Sequence, residues 1–138
     1  MDNPTGDQAA VSFGIIGPGN IARRFASAVK MVKGASVTAV FGRNEERAEK
    51  FCRKYDIPQH FTSLEEFFQS GIDMVYIATP HSFHYPMVKA CIRHKKHVLC
   101  EKPFTVNARQ AEELFSLAGQ EGVFVMEAMW TRFLPVMQ

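Results

Sequence analysis

Gly17-Pro18-Gly19-Asn20-Ile21-Ala22 places two glycines and an alanine at the spacing G-x-G-x-x-A. That spacing suits a pyrophosphate approaching the turn between a strand and a helix. Gly17 permits the tight turn, Gly19 has no side chain to keep phosphates away, and Ala22 is small enough for close helix–strand packing. The helix N-terminus then offers unpaired N–H groups and the positive end of its dipole. Residues 39–44 read Ala-Val-Phe-Gly-Arg-Asn. Folds that select NAD usually carry an acid near this point to bind the ribose hydroxyls. No acid lies between Gly34 and Asn44; Gly42 takes its place and Arg43 follows. A carboxylate repels a 2′-phosphate, whereas an arginine holds it bidentately or stacks on adenine, so NADP(H) is favoured over NAD(H). Glu101-Lys102-Pro103 ends the apolar run at residues 96–100. A lysine beyond a strand's carboxyl end can give or take a proton as hydride moves at a carbonyl carbon, the more so where burial lowers its pKa. Pro103 biases Lys102 towards an extended conformation.

Other reactive side chains carry less. His81 and His84 form H-x-x-H, as do His94 and His97, but no third and fourth ligands gather with either pair, so no metal site is expected. His81 reads equally as a neighbour of a bound cofactor or as a helix-entry residue. Cys52, Cys91 and Cys100 are odd in number and widely spaced, which argues against a disulfide framework or a zinc site. Cys100 closes a strand pattern and reads as buried packing.

These residues need a scaffold, and short apolar runs alternate with amphipathic segments to supply one. The runs fall at residues 11–16, 36–41, 73–78, 96–100 and 123–126, with little polar alternation, as in strands buried on both faces. Ile21, Phe25, Ala28, Val29 and Val32 recur at helical spacing and predict one buried face. Asn44 can cap a helix running to about residue 54, and Ser63-Leu64-Glu65-Glu66 has capping-box form. A helix over residues 84–94 would bury Met87, Val88, Cys91 and Ile92. Asn107 opens a last helix with Ala111, Leu114, Phe115 and Ala118 inward, closing near Gly119 or Gly122. The alternation predicts right-handed βαβ crossovers and an α/β, doubly wound Rossmann fold with a mostly parallel sheet.

Composition narrows the function classes. Of 138 residues, 46% are hydrophobic and 22% charged, an ordinary globular balance. Sixteen Lys+Arg against fourteen Asp+Glu leave +2, too little to argue for nucleic acid or an anionic membrane. Twelve Phe and three Tyr exclude disorder. Residues 1–10 lack the apolar core of a signal peptide, and no run approaches the roughly 18–20 apolar residues of a membrane span. A reduced, cytoplasmic location is expected.

Five stretches together resemble the Gfo/Idh/MocA oxidoreductases: GIIGPGNIA (14–22), FGRNEERAEKF (41–51), YIATPHSFHYPMV (76–88), HVLCEKP (97–103) and MEAMWTRFLP (126–135). The last is most similar to the branch of the dimeric dihydrodiol and NADP-dependent xylose dehydrogenases. The resemblance implies that Gly17, Gly19, Asn20 and Ile21 line the pyrophosphate loop, and that Gly42 and Arg43 meet the adenosine 2′-phosphate. It implies that Ala78, Thr79, Pro80 and His81 pass the cofactor's ribose and ring, with His84 beside them. Glu101 would contact the nicotinamide ribose, and Lys102 would be the catalytic lysine. Trp130 and Arg132 would approach the cofactor. The implied substrate is a sugar, polyol or dihydrodiol, and the implied assembly is a homo-oligomer.

The implied division is a lead-in at 1–10, a dinucleotide-binding domain at 11–128, and the start of a connection at 129–138. The family's second, α+β domain, which selects substrate, does not occur within these residues. A fragment of a longer enzyme is expected, its exposed apolar end prone to self-association; the alternative is a free-standing nucleotide domain. A non-catalytic sensor or assembly module is the competing function, and another Rossmann-type enzyme such as a methyltransferase a weaker one.

Overall fold

A computed structural model describes residues 10–129, 132 and 134–137. Six strands form one sheet: β1 (Val11–Ile16), β2 (Ala35–Phe41), β3 (Gln59–Phe61), β4 (Met74–Ile77), β5 (His97–Glu101) and β6 (Val125–Ala128). Their order is β3-β2-β1-β4-β5-β6, and every neighbouring pair is parallel. Five helices connect them: α1 (Asn20–Val29), α2 (Glu45–Tyr55), α3 (Leu64–Phe68), α4 (His84–Arg93) and α5 (Ala108–Glu121). This is the doubly wound order, reversing direction between β1 and β4. No helix among the described residues is long and apolar enough to cross a membrane.

The apolar runs work because successive strand residues face opposite sides. Ile16, Ala39, Val75, Ile77, Val98 and Cys100 face a core shared with α3, α4 and α5. Ile15, Val40 and Tyr76 face the other core, against α1 and α2. Gly14 makes room within the first core. A Cβ there would stand 2.5 Å from Phe67 Cζ and 2.8 Å from Ile72 Cδ1, so the glycine lets a fully buried ring lie against β1.

Three helix starts follow the expected capping. The side chains of Asn44, Ser63 and Asn107 accept hydrogen bonds from the backbone N–H groups of Arg47, Glu66 and Gln110. α5 closes on Gly122 at φ +68, a left-handed end that glycine adopts without strain.

Three expectations are corrected. The buried face of α1 is Ala22, Ala26 and Val29 with Phe25 half-buried; Ile21, Ala28 and Val32 are exposed. Alanines at i and i+4 let the helix lie closer to the sheet than a stripe of larger residues allows. Phe115 is half-exposed, its ring 5.1 Å from that of Phe104, rather than inward with Leu114 and Ala118. β3 is an additional strand, three residues long at the sheet edge and too short to show as an apolar run.

Candidate functional site

The sheet's carboxyl edge carries the candidate site. Beyond β1, the Gly17 N–H donates to Phe41 O (3.1 Å), and beyond β4 the Ala78 N–H donates to Ile16 O (2.9 Å). The turn after β1 therefore lies against the end of β4. Gly17 sits at φ +95, and a Cβ there would stand 3.0 Å from the Ala78 carbonyl carbon and oxygen. Only glycine fits that close approach without strain. The Gly42 N–H donates to Phe61 O (3.1 Å), and a Cβ on Gly42 would stand 3.1 Å from Pro18 Cγ.

These turns enclose a cavity of about 680 Å³ at the point where the strand order reverses. Gly17, Gly19, Gly42, Arg43, Ala78, Thr79 and Pro80 line it, so it gathers seven of the residues singled out from the sequence. Arg47, Phe83, Asn44 and Met87 also line it and were not expected at the site. Arg47 was legible in principle. Asn44 caps α2 through the Arg47 N–H (2.9 Å), so the first helical turn sets Arg47 near Arg43. The Arg43 guanidinium lies 5.3 Å from the centroid of the Phe83 ring. Among the described residues, two arginines and no carboxylate line this cavity.

The cavity's chemistry fits a dinucleotide. The N-terminus of α1 has no side-chain cap and no acid in its first turn, unlike α2 with its Asn44 cap and two first-turn glutamates. Its N–H groups and positive dipole end are left for an anion. A Cβ on Gly19 would meet no heavy atom within 4 Å, so the approach to that turn is open. Thr79 Oγ1 is buried without a hydrogen-bond partner among the described residues, and an orphaned buried hydroxyl in a ligand cavity fits a polar ligand atom.

The remaining residues sit differently. Asn20 and Ile21 are exposed at the start of α1 and do not line the cavity. His81 is exposed on the short 3-10 turn His81–Phe83. His84 is fully buried, its ring nitrogens 2.7 Å from Pro103 O and 3.0 Å from Thr79 O. It offers no exposed surface and stands behind the cavity-lining Thr79. Glu101 is half-buried, and its Oε1 accepts from the Tyr76 hydroxyl at 2.5 Å. Burial, reinforced by the Glu101 carboxylate, pushes the Tyr76 hydroxyl pKa well up, so it stays a donor. Lys102 is exposed and its peptide bond to Pro103 is cis; the burial considered for this lysine is not supplied by the described residues. The Phe104 N–H donates to Glu127 Oε2 (2.6 Å). Neither Glu101 nor Lys102 lines the cavity. Arg132 is exposed, its N–H donating to Met129 O (3.0 Å); Trp130 lies outside the described residues.

The other candidates are occupied elsewhere. His94 Nδ1 lies 2.8 Å from Ala90 O, with its ring stacked on Phe68, and His97 Nδ1 accepts from the Phe124 N–H (2.9 Å). Cys100 is buried, and burial pushes its thiol up to about 12, which withholds the thiolate a nucleophile needs.

Comparison with known proteins bears on this geometry. Residues 11–129 match the GFO_IDH_MocA model, described as an oxidoreductase family with an NAD-binding Rossmann fold. A mouse trans-1,2-dihydrobenzene-1,2-diol dehydrogenase is 40% identical over 132 residues, covering 94% of this chain and 40% of that one. A scyllo-inositol 2-dehydrogenase (NADP(+)) of Bacillus subtilis is 41% identical over 126 residues, covering 91% of this chain and 38% of that one. Among solved structures, a 3-ketoreductase from Actinomadura kijaniata, in complex with NADP and TDP-benzene, superposes with a TM-score of 0.87 at 30% identity. That match covers 91% of this chain and 39% of the other. The chain thus spans about two-fifths of the length of the curated relatives it matches.

Proposed function

This chain belongs to the Gfo/Idh/MocA oxidoreductases, in the part that carries their NAD(P)-binding Rossmann fold, and from that premise we propose that its cofactor is NADP(H). The observation that carries the reading is the cavity wall. Gly42 stands where an acid would select NAD, while Arg43 and Arg47 both line the cavity and, among the described residues, no carboxylate does. Arginine pairs with a phosphate through charge-assisted, bidentate hydrogen bonds. The NADP(+)-linked scyllo-inositol 2-dehydrogenase and the 3-ketoreductase in complex with NADP support the same choice.

In this reading Gly17 and Gly19 admit the pyrophosphate to the α1 N-terminus, and Asn20 and Ile21 contribute backbone N–H groups. Ala78, Thr79, Pro80 and His81 border the nicotinamide half, and Glu101, oriented by Tyr76, receives its ribose. Arg132 and Trp130 contribute contacts to the cofactor. The bound nicotinamide supplies or accepts a hydride. Lys102 holds a proton at Nζ and passes it to or from the oxygen of a CH–OH group on a sugar, polyol or dihydrodiol.

Fluorescence titration with NADPH and NADH tests the cofactor choice. Wild type binds NADPH more tightly. Arg43→Ala weakens NADPH by about tenfold, the loss of roughly 1.4 kcal/mol of charge-assisted hydrogen bonding, and leaves NADH within about twofold. Equal affinity for both cofactors, unmoved by the substitution, would overturn the choice.

A further inference from the structure

His84 is an unusual residue to find at 0% exposure, and its contacts show what holds it there. It begins α4, and its ring lies between the loops that follow the neighbouring strands β4 and β5. Nδ1 is 2.7 Å from Pro103 O, in the loop after β5; Nε2 is 3.0 Å from Thr79 O, in the loop after β4. Carbonyl oxygens only accept, so a ring nitrogen holds one only by donating an N–H. At least one of the two contacts is therefore a donated hydrogen bond, and the ring spans the gap between the two loops whichever nitrogen donates.

Two other contacts fix the same stretch of chain. The Tyr76 hydroxyl on β4 holds the Glu101 carboxylate (2.5 Å), and the Glu127 carboxylate on β6 holds the Phe104 N–H (2.6 Å). Lys102 and Pro103 stand between those points, and the carbonyl of Pro103 is held by His84. Thr79, at the other end of the His84 bridge, lines the cavity and carries the orphaned hydroxyl.

We propose that His84 is a positioning residue: its buried imidazole clips the Glu101–Lys102–Pro103 segment to the cavity wall at Thr79 and so sets where Lys102 stands relative to the bound cofactor. The clip acts through backbone carbonyls. It needs no contact between His84 and any ligand, and its consequence falls on the nicotinamide half of the site rather than on the arginine half. The inference rests on the dinucleotide-binding reading above.

The test separates the two halves. Adenosine 2′,5′-bisphosphate probes the arginine end alone, and NADPH probes both ends. His84→Leu keeps similar volume without a donor; His84→Gln restores an N–H donor. The expected result is that His84→Leu binds the bisphosphate within about twofold of wild type but NADPH about tenfold more weakly, with His84→Gln recovering part of that loss. Proton NMR should also show an exchange-protected ring N–H in wild type that is missing from both variants. A parallel fall for both ligands, no fall for either, or a ring N–H exchanging as freely as that of exposed His81 overturns the clip. If wild type binds no bisphosphate, the cofactor reading fails instead, and the ring N–H still decides the clip.

Discussion

Gly17 and Gly19 occupy the same turn, yet the structure assigns their substitutions opposite consequences. Gly17→Ala must hold a Cβ at φ +95 and 3.0 Å from the backbone carbon and oxygen of Ala78. The left-handed conformation costs about 1–2 kcal/mol for a non-glycine residue, and backbone atoms cannot swing aside as a side chain can. A total near 2–4 kcal/mol is expected, large against the roughly 5–15 kcal/mol stability of a domain. For a chain of this size that lowers the melting temperature by roughly 8–15 °C. Gly19→Ala should behave otherwise. Gly19 lies at φ −108 and ψ −165, an ordinary extended conformation, and its Cβ would meet nothing within 4 Å. Its stability should stay within about 0.5 kcal/mol of wild type. On the proposed reading the new methyl lies where phosphates approach, so binding is what it should weaken. NADPH at a hundred times its wild-type Kd stabilises the wild type by about 2.7 kcal/mol; a tenfold weaker variant at the same concentration gains only about 1.4. Thermal denaturation with and without NADPH measures both effects. A Gly17→Ala protein that melts like wild type, or a Gly19→Ala protein that keeps the full NADPH-induced shift, would refute the reasoning.

Three further outcomes follow from the packing. Burial pushes the Cys52 thiol up to about 11, Cys100 up to about 12 and Cys91 well up, so the native chain at pH 8 should leave all three unreacted with a disulfide reagent and release three in guanidinium; stoichiometric native labelling would contradict that. Tyr76→Phe keeps the ring stacked on Phe25 but frees the Glu101 carboxylate, and should cost about 1–2 kcal/mol in urea titration with an unchanged slope. The Tyr85 hydroxyl and the Lys89 ammonium hold the Glu113 carboxyl below the usual carboxylate range. The stability this pair adds is therefore full at neutral pH and lost as pH falls below the ordinary carboxylate value, and Glu113→Gln should flatten that acid limb of the stability profile.

What could be read from the chain is what short segments decide among themselves. Asn44, Ser63 and Asn107 announce helix starts because a cap involves residues three apart, and each makes its cap. The apolar runs announce five strands because a strand buried on both faces has no polar alternation to hide it. The face of α1 was misread because two stripes at helical spacing overlap. Hydrophobicity favours Ile21, Ala28 and Val32; the short distance to the sheet favours Ala22 and Ala26. β3 escaped because three residues at an edge, one exposed and two half-buried, carry no periodic signal.

The site divides along the same line. Its glycines and Arg43 lie within single turns and could be named from spacing; the cavity brings them together. The contacts that hold the Lys102 segment come from Tyr76, His84 and Glu127, separated from their partners by 25, 19 and 23 residues. None belongs to a motif with its partner. Tyr76 reads as one more apolar strand residue, Glu127 as an acid in an edge strand, and His84 as half of a false metal pair. Each is a polar group whose partner only the parallel stacking of β4, β5 and β6 supplies. A buried polar group costs free energy unless it is paired, so these three persist only because the sheet delivers a partner to each. The glycine-and-arginine end can therefore be read from turn sequences alone. The lysine end depends on the whole sheet being in register, and substitutions that disturb β6 should reach Lys102 through Glu127 and Phe104 without touching the cavity.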